Sequence, residues 1–381
     1  MLCTLAFLAR TTAAATLVVG PGAPFARIAD AALQARDGDV VEILPGTYRG
    51  DVAVWTQRRL TIRGVGAMPV LAADGKSAEG KAIWVFRDGD FDVSNIAMEG
   101  ARVDDRNGAG IRFERGRLRV RGCRFTDNEN GILTGNIEGS ELIVEDSEFS
   151  AAPRDRGPLK HLLYVGAITR FTLSGSRFHQ GFEGHLVKSR ARENQIRYNL
   201  LYDGAGGKAA YELEFPNGGI AFVIGNVIGQ SSETTNPTVV SFGAEGNAWP
   251  DSALYLAHNT LISDHLQGAV FVRVWDTKLP PATDVLAVNN LTVGPGVMSL
   301  GTSAAYSGNY PILAWGLGDT GMLDFRLGAG SLLRGVVSAA PKVRGQSLMP
   351  AAEFRLPVGT TPLDAPATWT PGAFQTPGPR R

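Results

Sequence analysis

Eight short segments of this chain share one shape. Each is a strand of alternating apolar residues that ends at Asn, Ser or Cys and is followed by a second apolar burst. Leu142-Ile143-Val144-Glu145-Asp146-Ser147-Glu148-Phe149 and Tyr255-Leu256-Ala257-His258-Asn259-Thr260-Leu261 are two examples. The aligned positions are Asn95, Cys123, Ser147, Ser176, Asn199, Asn226, Asn259 and Asn290, spaced 23 to 33 residues apart. Recurrence at that period is the mark of a solenoid, in which one coil of chain stacks on the next. A further strand precedes each segment from Cys123 onward, at 110–114, 131–134, 161–165, 185–190, 211–215, 239–242 and 270–274. Once per coil and in constant order, these strands predict an all-β parallel β-helix.

The physics of such a coil explains the recurring corner residue. Alternation sends every second side chain inward, and in parallel register like stacks on like. A polar side chain repeated at one corner can hydrogen-bond along the stack, as Asn does in stacked strands. Asn199, Asn226, Asn259 and Asn290 are therefore read as structural rather than catalytic.

Other features bound the reading. Lys plus Arg is 37 and Asp plus Glu is 37, a balance without the basic excess of a nucleic-acid binder. Leu2 to Ala9 is apolar and Ala13-Ala14-Ala15 offers a small-residue cleavage site, so residues 1–15 read as an export signal. That run is too short to span a bilayer. A secreted or periplasmic protein, expected to be a monomer, follows. Two cysteines, Cys3 and Cys123, permit no disulfide framework, and Cys123 reads as a core thiol. Phe25, Ile28, Ala29, Ala32 and Leu33 form one apolar stripe, predicting a short helix that caps the open N-terminal end. The repeat occupies 16–300. Residues 301–381 are rich in Pro, Gly and Ala and predict a tail folded back along the solenoid over its last coil, with 370–381 loosely held.

The string Gly38-Asp39-Val40-Val41-Glu42-Ile43-Leu44-Pro45-Gly46-Thr47-Tyr48 resembles the entry segment of pectate-lyase-like right-handed parallel β-helix proteins. Asp324-Phe325-Arg326-Leu327-Gly328-Ala329-Gly330-Ser331 and Gly372-Ala373-Phe374-Gln375 resemble closing segments of secreted members. The resemblance implies a right-handed solenoid and an acidic polysaccharide as partner. It is shared by lyases, hydrolases, epimerases and non-enzymes, so it does not assign an activity. Members commonly place Lys or Arg in the basic role, often with calcium bridging substrate to carboxylates.

Chemistry concentrates between Lys160 and Gly219. With Leu163, Val165, Val187, Ser189, Tyr211, Leu213 and Phe215 inward, alternation sends Tyr164, Lys188, Arg190, Glu212 and Glu214 outward. Adjacent strands lie about 4.8 Å apart, close enough for these side chains to meet on one sugar unit. Elimination from a uronate needs a cation on the carboxylate, a base for the C5 proton and a donor to the leaving oxygen. Arg190 suits a bidentate grip, Lys188 beside another cation suits the base, and Tyr164 suits the donor. Glu212 and Glu214 would hold calcium if one is used. Arg273 and Trp275 extend the face. His161 and His185 begin equivalent strands and are read as a stacked pair at the inward edge, within reach of substrate.

Two alternatives stand beside the lyase. In a glycoside hydrolase Glu212 and Glu214 would be the paired carboxylates. In a non-catalytic binding solenoid, Trp249 and Trp275 would serve as exposed aromatics. Outward Lys, Arg and Glu also form the cross-strand ion pairs of any solvated strand.

Overall fold

The computed structural model describes residues 14–155, 157, 160–246, 249–301 and 305–379. Of the expected export segment, only Ala14 and Ala15 fall among them.

The chain forms a parallel β-solenoid with three strands per coil. Strand β1 (Thr16–Val19) opens the stack and pairs in parallel with the strand of the second coil, Thr16 beside Val40. Three faces result. The third is an 11-stranded parallel sheet, while the first and second are fused into a 20-stranded sheet. Two 13-residue strands, Ala82–Ser94 and Ala109–Arg121, run unbroken from the first face to the second and make that fusion.

The core is a ladder of identical inward positions. Phe125, Phe149 and Phe178 stack with ring centroids 4.7 and 4.5 Å apart. The polar corner forms a continuous chain of bonds. Cys123 N donates to Ser147 Oγ, Ser147 N to Ser176 Oγ and Ser176 N to Asn199 Oδ1. Asn199, Asn226, Asn259 and Asn290 continue it, and Asn309 ends it. Asn95 is not part of this chain. It holds the preceding, left-handed corner position (φ 56°) that Gly122, Gly175 and Gly225 hold in later coils. Both positions select Asn, one for its side-chain bonds and one for its backbone, which is why the repeat places Asn95 one step out of register. Cys123 is buried, and burial pushes its thiol up to about 12.

The ends differ from expectation in detail. The one α-helix among the described residues, α1 (Ile28–Gln34), buries Ile28, Ala31 and Ala32 and leaves Leu33 exposed. The buried stripe is thus set one residue earlier than Phe25 and Leu33 suggest. Its first turn is capped from a distance: Asp51 accepts from Ile28 N at 2.6 Å and Ala29 N at 3.0 Å. The tail folds back along the sides of the solenoid. Phe325 and Leu327 pack on Leu200, Val227 and Ile262 of the third face, and Leu348 packs beside Phe222 and Tyr255 of the second. Residues 370–375 are held rather than loose: Thr370, Ala373 and Gln375 are buried, and Gln375 Nε2 donates to Thr370 O. The apolar contact with Leu200 and Leu291 explains the docking. No helix among the described residues is long and apolar enough to cross a membrane.

The first face carries six consecutive strands that matter for function. They are β2 (Asn130–Thr134), β3 (His161–Val165), β4 (His185–Ser189), β5 (Tyr211–Phe215), β6 (Thr238–Phe242) and β7 (Ala269–Val274). Their pairing sets Leu133, Tyr164, Lys188, Glu214, Ser241 and Arg273 in one row.

Candidate functional site on the first face

The row points outward because its flanking positions point in. Leu163, Val165, Val187, Leu213, Phe215, Val240, Phe242, Val272 and Val274 all belong to the core. Tyr164, Lys188, Glu214 and Arg273 therefore stand on the outer face, and Arg190 follows β4 on the same side.

Strict alternation fails one step earlier in each strand. Leu162 and Leu163, Leu186 and Val187, and Val239 and Val240 are successive residues that are both in the core. The ladder skips the first of each pair: His185 registers with Tyr211, then Val187 with Leu213. Such a break lets two neighbours face the same side. Three expectations are corrected by it. Glu212 occupies the skipped position and is fully buried in the interior, with neither carboxylate oxygen bonded. Tyr211 faces outward instead, as do His161 and His185. The three rings form a series, with His161 4.6 Å from His185 and His185 5.0 Å from Tyr211. Tyr164 lies over His161 at 5.3 Å.

Around the row the charged groups interlock. Lys188 Nζ lies 2.8 Å from Glu245 Oε1 and 3.3 Å from Glu214 Oε2. Arg190 donates from Nε to the Tyr164 hydroxyl at 2.8 Å, and its Nη1 is 2.6 Å from Glu245 Oε2 and bonds Asn217 Oδ1. Trp249 Nε1 donates to Arg190 O at 2.9 Å, tying a loop over the arginine. Lys188 thus stands between two carboxylates, a setting the expectation of a nearby cation did not include. Arg273 lies 4.6 Å from the Trp275 ring, and Lys278 approaches the same ring at 4.8 Å.

Burial separates this cluster from ordinary ion pairs of the solenoid. Side-chain exposure is 11% and 4% for Lys188 and Glu214, against 50% and 32% for the cross-coil pair Arg170 and Glu193. Exposed pairs contribute little, whereas partners shielded from water interact strongly. Burial raises the Glu214 carboxyl, but His185 and Lys188 outweigh it and hold it below the usual range. Burial likewise works against Glu245, yet Arg190 and Lys188 bring it down to about 2. His185 is lowered, burial outweighing the pull of Glu214. His161 is lowered well below the ordinary value, by burial first and then by His185, Lys188 and Arg190. Both rings are neutral near pH 7. His161 Nδ1 accepts from His185 N at 3.1 Å, which leaves the ring proton on its Nε2.

Several buried polar atoms here have no hydrogen-bond partner. They are Ser241 Oγ, Arg273 Nε and Trp275 Nε1. His185 Nδ1 and Glu214 Oε2 face each other at 3.1 Å, with Lys188 Nζ 3.3 Å from the same oxygen. Buried polar groups are nearly always satisfied, so a row of such atoms on one outer face is the signature of a place for a ligand or bound water.

Of the residues singled out from sequence, Tyr164, Lys188, Arg190, Glu214, His161 and His185 come together, with Arg273 and Trp275 farther along the row. Glu212 does not join them. Ser241, Asn217 and Glu245 escaped sequence reasoning. Ser241 was legible in principle from its register with Glu214 and Arg273. Glu245 and Asn217 lie in turns, where no periodicity points to a direction. Among the described residues, no group of three or more His, Cys, Asp or Glu is arranged to hold a metal ion.

No family model matches this chain. No curated protein matches it either. Among solved structures, ORF18 of Geobacillus virus E2 is similar, with a TM-score of 0.41 and 12% identity over 72% of this chain and 53% of that one. The chain spans about half the length of that viral protein.

Proposed function

We propose that the first face binds an anionic, uronate-containing polysaccharide and cleaves it by β-elimination. The observation that carries this reading is the set of buried polar atoms without a partner, Ser241 Oγ, Arg273 Nε and Trp275 Nε1, on the same face as a pair of shielded cations. Lys188 and Arg190 would neutralise the uronate carboxylate, which acidifies the C5 proton. His185 is the base best suited to take it. Its ring is neutral, and the ionised Glu214 beside Nδ1 favours the tautomer with the proton there and the lone pair on Nε2. Tyr164 accepts from Arg190 and keeps its own O–H to donate to the leaving oxygen. Arg273 and the Trp275 ring would hold the chain farther along the row.

The charge states favour elimination over hydrolysis. Glu212 and Glu214 lie on opposite sides of the sheet and cannot act as a pair. Glu214 and Glu245 are both held below the usual carboxyl range, so neither is the protonated acid that glycoside hydrolysis requires. Calcium does not fit these residues well. Both outward carboxylates are already paired with Lys188 and Arg190, and Glu212 is inside, so no step is routed through a metal.

Ultraviolet absorbance of the unsaturated product, followed over a panel of polyuronates with calcium or chelator, tests the proposal. A rise with the native protein that drops at least ~100-fold in His185→Ala and in Lys188→Ala is expected. New reducing ends without absorbance would replace elimination by hydrolysis. Binding without either signal would make the face a recognition surface only.

A further inference from the structure

Glu245 sits where a substrate carboxylate would have to sit. Its two oxygens reach different cations, Oε1 to Lys188 Nζ at 2.8 Å and Oε2 to Arg190 Nη1 at 2.6 Å. A uronate carboxylate gripped by the same pair would make the same two contacts. The other carboxylate on Lys188, Glu214, is part of a strand and only 4% exposed, so it has no room to withdraw. Glu245 is 44% exposed and lies in the turn after β6. That turn is bounded by Gly243 and Gly246, with φ of 86° and 90°, a conformation glycine alone adopts without strain. Its backbone is held by Gly243 N to Phe215 O at 2.8 Å, Glu245 N to Pro216 O at 2.9 Å, Lys278 Nζ to Ala244 O and Asn217 Nδ2 to Gly246 O, so Glu245 would leave by rotation of its exposed side chain.

We infer that Glu245 is an internal placeholder for the substrate carboxylate, neutralising Lys188 and Arg190 in the free protein and leaving when an acidic sugar enters. The inference rests on the reading of Lys188 and Arg190 as a carboxylate grip. A placeholder of this kind keeps two shielded cations paired while the site is empty. It also sets a threshold for ligands: a neutral sugar offers nothing to the two cations in exchange for Glu245, whereas a uronate replaces one carboxylate by another. Glu245 is held at about 2, so it remains a full anion in competition with substrate over the neutral range.

Calorimetric titration with oligogalacturonate, oligomannuronate and a glucuronate-containing oligosaccharide decides the matter, using the native chain, Glu245→Gln and Lys188→Ala. Glutamine keeps the shape and removes the charge. Glu245→Gln is expected to bind at least one of these acidic probes tenfold or more tighter than the native chain, and Lys188→Ala to bind it more weakly. If Glu245→Gln binds equally or more weakly while Lys188→Ala still loses affinity, the grip stands and the placeholder is overturned. If Glu245→Gln binds no acidic probe, both are overturned, because the cation pair is then free of its competitor and still takes no carboxylate.

Discussion

A carboxyl group at position 212 is out of keeping with its surroundings. The equivalent residues of the neighbouring coils are Leu186 and Val239, both fully buried in the apolar core. Burial, and then the nearby Asp203, push the Glu212 carboxyl well above its ordinary range, which favours its protonated form in the folded chain. Asp203 is itself raised to about 6, again chiefly by burial, although two backbone N–H groups bond it. An unbonded buried carboxyl costs about 1–3 kcal/mol. Replacing Glu212 by Leu should therefore stabilise the fold by about 1–3 kcal/mol, read as a higher urea midpoint. Glu212→Gln should match the native chain only below the ordinary carboxyl range and be the more stable of the two near neutral pH, because the amide takes up no proton on folding. The pH dependence follows from the raised value: between the ordinary carboxyl range and the raised one the folded state holds a proton that the unfolded state has released. Stability is therefore lost as pH rises through that window, and Glu212→Leu should reduce this slope to the part that the raised Asp203 contributes below about 6.

The polar ladder is the element that unites the coils. Asn226 Oδ1 accepts from Asn199 N and Nδ2, both at 2.9 Å, while its own Nδ2 donates to Ile196 O and Asn259 Oδ1. All of these atoms are buried, so truncation leaves donors and acceptors unmatched on both sides. Asn226→Ala should cost about 4 kcal/mol, at the upper end for single substitutions, and Asn226→Ser roughly half of that. The serine has a precedent, since Ser147 and Ser176 occupy the same place in earlier coils. Equilibrium urea unfolding of the two variants compares them directly; equal losses would mean that the ladder bonds themselves contribute little. This element was legible from sequence because identical residues recur at one corner. Its neighbour, the left-handed position of Asn95, was misaligned because both positions favour Asn.

Over the whole molecule, one of the contacts between tail and solenoid is made by a fully buried histidine. His258 Nε2 accepts from Asn289 Nδ2 at 3.1 Å, so Nδ1 carries the ring proton and faces Thr370 O at 3.2 Å. Asn289 also donates to Ser338 O in the tail, and the Trp369 ring lies 5.7 Å from the imidazole. Burial lowers the His258 value to about 4. Between that value and the ordinary 6.5 the unfolded state binds a proton that the folded state refuses. The stabilisation is complete above pH 6.5 and is lost as pH falls toward 4, a change of about 3 kcal/mol. Acidification across that range should accelerate hydrogen exchange at 370–375 before it does so in the central coils. In His258→Gln the acid effect should vanish; its persistence would assign acid sensitivity to other groups.

What the sequence alone determined is what repeats. The stack, its corner ladder, the inward apolar positions and the outward run of Tyr164, Lys188 and Arg190 follow from periodicity, because in parallel register each coil repeats the environment of the last. Tertiary structure decided what periodicity does not encode. The skipped step in each first-face strand turned Glu212 inward and Tyr211 outward, since a local break in the ladder exchanges faces without changing residue spacing. Asn217 and Glu245 reach the site from turns, whose paths depend on the coils beneath them. The tail found its place by apolar contact with side faces tens of residues away in sequence, as far as Leu200 from Phe325, a distance across which no local pattern carries information.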